Sequence, residues 1–68
     1  MKWMRCRKRP IEVEFREVFV CEEIATMEGT LYAYPGRDYI IRGIYGEEYP
    51  IKIDIFERTY DVLPEEAS

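Results

Sequence analysis

The stretch PGRDYIIRGIYGEEYPIKIDIFERTY, residues 35–60, decides the fold, because it holds two turns, two strand patterns and a helix start. Proline sets φ near −65° at the second position of a turn, and glycine supplies the positive φ that a type II turn needs at the third. Pro35-Gly36 therefore reverses or bends the chain. Tyr39 to Ile44 reads as a strand, and Tyr45-Gly46 turns it into a second strand from Glu48 to Asp54. In that second strand Tyr49, Ile51 and Ile53 alternate with Glu48, Pro50, Lys52 and Asp54, which predicts one buried face and one wet face. Pro50 has no amide hydrogen to give to a ladder, so this strand belongs at a sheet edge or where the proline nitrogen faces solvent. Asp54-Ile55-Phe56-Glu57 has the spacing of an N-cap with an acid three residues on, predicting one short helical turn near 55–59 capped by Asp54.

Upstream, Ile11, Val13 and Phe15 alternate with Glu12, Glu14 and Arg16, the period of a half-buried strand, and Pro10 sits at its start. Val18 to Cys21 continues it apolar on both faces, as at a more buried end, a bulge or a crossing between faces. Ile24 to Met27 and Thr30 to Tyr34 flank Glu28-Gly29, a hairpin signal. The alternative, a helical turn over Glu22 to Met27, is weakened by the β-branched Ile24 and Thr26. Downstream, Thr59 to Leu63 resembles a closing strand that Pro64 stops. The expected fold is mainly β, a small rolled antiparallel sheet or barrel of five to six strands with one short helical turn. A basic N-terminal arm spans 1–9, a single β-rich domain 10–64 and a frayed tail 65–68. The expected core is Ile11, Val13, Phe15, Ile41, Tyr49, Ile51, Ile53 and Phe56. Gly43, inside a strand pattern, marks a bulge or a close backbone approach.

With 68 residues the chain has room for one domain with a thin stability margin. There is no His, and Cys6 and Cys21 have no CxxC spacing, so neither a metal nor another cofactor is expected. A Cys6–Cys21 disulfide would contribute about 3 kcal/mol by chain entropy. No signal-peptide pattern and no long apolar run is visible, which predicts a cytoplasmic protein without a membrane partner, with the two thiols free and buried or half-buried. The richness in Glu, Arg, Ile and Tyr, without Asn, Gln or His, leans towards a thermophile.

Catalysis is not expected. The single Ser is the last residue, there is no His, and the glycines match no phosphate-binding loop. Acid and base pairs drawn from Glu47, Glu48 and Tyr49, or from Asp38 and Tyr39, fail because neighbouring strand residues point to opposite faces. Two features remain. The first is the charge division: Lys2, Arg5, Arg7, Lys8 and Arg9 are half of the basic residues, whereas all fourteen acids follow Pro10. With Trp3, this arm is a candidate for tracking a nucleic-acid backbone, or else a solvated segment that pairs with the acidic body. The second is the set of six tyrosines. Tyr32 and Tyr34 share one strand face opposite Leu31 and Ala33, and if the small aliphatics are core, both rings stand in solvent or in an interface. A protein partner or a homodimer is the expected partner, with nucleic acid as the alternative.

Pro35-Gly36, Asp38-Tyr39-Ile40-Ile41, Gly43, Gly46-Glu47, Tyr49-Pro50, Asp54-Ile55-Phe56-Glu57 and Thr59-Tyr60 together resemble a segment of small uncharacterised bacteriophage and prophage proteins with a Pro-Gly-Asp-Tyr turn. Lys8 to Val13 and Met27 to Thr30 resemble that family's first strand and first hairpin. Arg37, inserted between Gly36 and Asp38, and Ile53, where the family usually has Pro, depart from the pattern. The resemblance implies a viral or mobile-element origin and a cytoplasmic life, and brings no catalytic residues.

Overall fold

In the computed structural model, which describes residues 1–65, the organising element is a strand apolar on both faces. This is β4, Asp38–Arg42, in which Ile40 and Ile41 are both fully buried although they point to opposite sides. It lies between β1, Glu14–Glu17, and β5, Glu48–Lys52, in an antiparallel sheet of order β1-β4-β5. A separate hairpin of β2, Glu22–Thr26, and β3, Gly29–Ala33, packs over one face of that sheet beside β5. The helix α1, Ile53–Thr59, covers the other face. The chain is thus mainly β, with five strands in two antiparallel sheets and one short helix, and the sheets do not close into a barrel.

Each face has its own core. On the hairpin side Val18, Ile24, Ala33 and Ile40 form one buried cluster. On the helix side Phe56 lies 4.6 Å from Phe15, 5.1 Å from Tyr39 and 5.1 Å from Tyr60, ring centre to ring centre. Of the expected core residues, Ile41 and Phe56 are buried. Val13, Tyr49, Ile51 and Ile53 are only half-buried, because a helix of seven residues covers part of a three-stranded face. Phe15 keeps one side open, and Ile11 is 51% exposed because β1 begins at Glu14, leaving nothing to pair Ile11. The expected continuation of β1 through Cys21 also fails. β1 ends at Glu17; Val18, two residues past Arg16 and so on the hairpin side by alternation, is buried, and the chain then bends at Phe19 and Val20, which face solvent.

The turns explain most other shifts. Tyr34 to Arg37 is the expected Pro-Gly turn: the Arg37 amide donates to the Tyr34 carbonyl at 3.2 Å, and Gly36 has φ +74°. The hairpin loop is Met27-Glu28, one residue earlier than the Gly signal suggests, with Thr26 opposite Gly29. Neither loop residue has positive φ, which excludes a primed two-residue turn; Gly29, at φ +114°, makes the reversal instead. Residues 22–26 are strand, so the helical alternative there is wrong. β4 ends at Arg42, two residues short of the expected strand end. Gly43 donates to the Glu47 carbonyl and accepts from the Gly46 amide, and a side chain at 43 would collide with the Glu47 carboxylate. Pro50 does lie in an edge strand, opposite Ile40.

The helix starts at Ile53, two residues before the expected turn, and its N-cap is Lys52 with no side-chain cap bond. Asp54 is therefore inside the first turn, accepting the Ile55 amide at 2.9 Å, and does not cap. Its contribution is the favourable placing of a carboxylate at a helix N-terminus. Asp54→Ala is expected to cost about 0.3–1 kcal/mol, seen as a slightly lower thermal midpoint; a loss of about 2 kcal/mol or more would restore the capping role. The expected closing strand over Thr59 to Leu63 is absent: Thr59 ends the helix, the Tyr60 amide returns to the Phe56 carbonyl, and Val62 and Leu63 are exposed. Cys6 and Cys21 are free, but both are exposed rather than buried or half-buried. The expected tail at 65–68 falls outside the described residues beyond Glu65.

Candidate interaction surface

Ala33 settles which side of β3 faces inward. It is fully buried, so its neighbours Tyr32 and Tyr34 point outward, at 46% and 40% exposure. Leu31, on the Ala33 side, is also partly exposed near the hairpin tip. Tyr32 and Tyr34 border an open depression of about 400 Å³ shared with Leu31, Arg37, Pro50 and Lys52. The hairpin thus brings the two tyrosines to the edge strand β5, a neighbour that their sequence positions do not reveal.

Sequence reasoning missed Asp38, the residue that fixes this corner. Its side chain is 3% exposed, and Oδ2 accepts from the Tyr34 amide at 2.9 Å and from Arg37 Nε at 2.9 Å. The Asp38 amide donates to the Tyr34 carbonyl at 3.0 Å, so main chain and side chain clamp the Pro-Gly turn from both ends. Arg37 in turn stacks its guanidinium 4.3 Å from the centre of the Tyr34 ring, an attraction of about 0.5–1 kcal/mol at an exposed site. One orientation of the Tyr34 ring is thereby favoured by a residue itself held by Asp38. Burial pushes the Asp38 carboxyl up, but the Arg37 hydrogen bond, the Tyr34 amide and nearby Lys52 outweigh it and leave it below the ordinary aspartate range. Proline followed by an acid two residues past the glycine was the available signal, since Asp commonly bonds backbone near turns.

The other candidate residues stay apart. Lys2, Trp3, Arg5, Arg7, Lys8 and Arg9 are all exposed, Trp3 at 94%. Lys8 Nζ lies 5.8 Å from the Tyr60 ring centre, and the Arg9 carbonyl accepts from the Ile11 amide at 2.9 Å. Among the described residues the ion pairs are Arg16 with Glu22 and Glu48, Arg37 with Asp38, and Arg42 with Glu14, so the arm is not neutralised by the acidic body. Glu47 is exposed and accepts the Tyr45 amide through Oε1, whereas Asp38 is buried in its turn. No group of three or more His, Cys, Asp or Glu able to hold a metal occurs among the described residues, and no helix there is long and apolar enough to cross a membrane.

No family model, curated protein or solved structure matches the chain.

The surface as a whole is larger than the fold requires. A folded chain of 8.2 kDa exposes about 4,500 Å² by the usual scaling, whereas this one exposes 6782 Å². Part of the surplus is the extended arm. Part is apolar body surface at Phe19, Val20, Tyr32, Tyr34, Ile44 and Tyr45.

Proposed function

We propose that this chain is a non-catalytic protein-interaction module of the small phage type that residues 35–60 resemble, working in the cytoplasm and engaging a polypeptide through Tyr32 and Tyr34. The observation that carries this reading is the outward pair of tyrosines beside a rigid, Asp38-clamped turn. Rigid amphipathic rings lose little conformational freedom on docking and are enriched in protein interfaces. The test is a pull-down from host lysate with wild type and with Tyr32→Ala/Tyr34→Ala, followed by reconstitution of the captured protein. A stoichiometric partner whose affinity falls about tenfold or more in the double variant supports the reading, since that is only about 1.4 kcal/mol. Equal affinity of both proteins for every partner found would overturn it.

A second reading is favoured by the unpaired arm: Trp3 and the five basic residues track a nucleic-acid backbone, with an exposed tyrosine stacking on bases. It predicts retention on a phosphate-bearing resin with a steep salt slope, abolished by deleting Met1 to Arg9. Because Trp3 is outside the core and no arm residue joins a sheet, this deletion should leave the thermal midpoint nearly unchanged. A large drop would make the arm part of the scaffold.

A further inference from the structure

β1 is the open edge of the three-stranded sheet. It pairs with β4 on one side only, and all four of its residues are exposed. Unpaired edges recruit strands unless they are blunted, commonly by charge. The charges on β1 form a pattern that repels some partners and matches one.

We infer that β1 pairs antiparallel with β1 of a second copy, with the two-fold axis at Phe15, joining the two sheets into one of six strands. The register follows from parity. A two-fold axis normal to the sheet keeps each face continuous, so only residues an even number apart can stand opposite each other. An axis at Glu14 sets Glu14 against Glu14, and one at Arg16 sets Arg16 against Arg16 and Phe15 against Glu17. An axis at Phe15 sets Glu14 against Arg16 twice, the favourable cross-strand pairing, at the cost of Val13 against Glu17 at each end.

The surrounding ion pairs extend that match. Glu14 already binds Arg42 at 2.7 Å, and Arg16 binds Glu22 through both guanidinium nitrogens at 2.7 Å. Across the axis these become a row of alternating sign: Arg42, Glu14, Arg16 of the second copy, Glu22 of the second copy. On the helix side the two Phe15 rings meet at the axis, each covering the open side of the other and joining two aromatic clusters.

This assembly is distinct from the tyrosine surface, and the experiment separates them. Sedimentation of the full chain is measured over a concentration series for wild type, Glu14→Arg, Arg16→Glu and an equal mixture of the two variants. Wild type should reach about twice 8.2 kDa, and each variant should dissociate about tenfold more readily, because like charges then oppose each other at two places. The mixture should recover the wild-type affinity, since the introduced arginine of one chain then faces the introduced glutamate of the other, while the native Arg16 and Glu14 still meet at the second place. Hydrogen exchange on wild type gives an independent reading: the amides of Phe15 and Glu17, which point away from β4, should become protected as concentration rises. A wild-type monomer at millimolar concentration, a dimer indifferent to both reversals, or concentration-dependent protection confined to β3 would overturn the pairing. None of these results bears on whether Tyr32→Ala/Tyr34→Ala loses its partner.

Discussion

Phe56→Ala is expected to leave the protein largely unfolded at room temperature. The ring is 4% exposed and is the one side chain that Phe15, Tyr39 and Tyr60 all touch, so its removal opens a cavity that three rigid rings cannot fill. Truncating a buried Phe costs about 3–5 kcal/mol, and a domain of this size draws roughly 3–5 kcal/mol from its whole core. The loss also reaches the edge strand, because Phe15 on β1 rests on Phe56 with a centroid separation of 4.6 Å. Urea titration followed by circular dichroism is the measurement. A cooperative transition with a nearly unchanged midpoint would remove Phe56 from the core and leave the helix without an anchor.

Asp38→Ala is expected to cost about 1–3 kcal/mol, because it strips a charged acceptor from the part-buried Tyr34 amide and from Arg37, and to loosen the Tyr34 ring through Arg37. The pH dependence identifies the cause. The Asp38 carboxyl lies below its ordinary value in the folded chain, held there against burial by Arg37, Tyr34 and Lys52. A depressed folded pKa gives stability that is fully present above the unfolded value, about 3.9, and is lost as pH falls through the folded value. Wild type should therefore lose stability below about pH 4, and Asp38→Asn should show a shallower acid limb while keeping the size of the side chain. An acid limb identical in wild type and Asp38→Asn would assign the loss to other carboxylates.

What the sequence makes legible here is what local chemistry decides. Pro35-Gly36 forms the turn its φ preferences demand, and β2, β3 and β5 form where alternation and glycine signals place them to within a few residues. Tyr32 and Tyr34 face outward because alternation on β3 is set by Ala33. Non-local packing was not legible. Ile40 escaped the expected core because an alternating pattern implies one wet face, whereas β4 is covered by the hairpin on one side and the helix on the other. Val18 is core because alternation puts it on the sheet face that the hairpin covers, and Ile11 is not because nothing pairs it. Asp54 has the composition of a cap, but the helix already begins at Ile53, whose amide is taken by the Arg37 carbonyl at 2.9 Å. That bond ties the helix start to the Pro-Gly turn, a contact between segments well separated in sequence.

The proline of β5 has a consequence for how far strand addition can go. Head-to-tail growth, in which β1 of each chain docks on β5 of the next, would give an unlimited filament rather than a closed pair. Pro50 stands in the middle of β5 without a donor, and the β2-β3 hairpin packs beside that same strand. Of the two rims of the three-stranded sheet, only the β1 rim then offers a full set of donors to a newcomer. In the proposed pair, a single ring on the far edge would thus close the head-to-tail route by which this sheet could otherwise grow without limit. Pro50→Thr, which restores both a donor and a strand-forming side chain, should be the substitution that turns a soluble preparation into one that binds thioflavin and pellets.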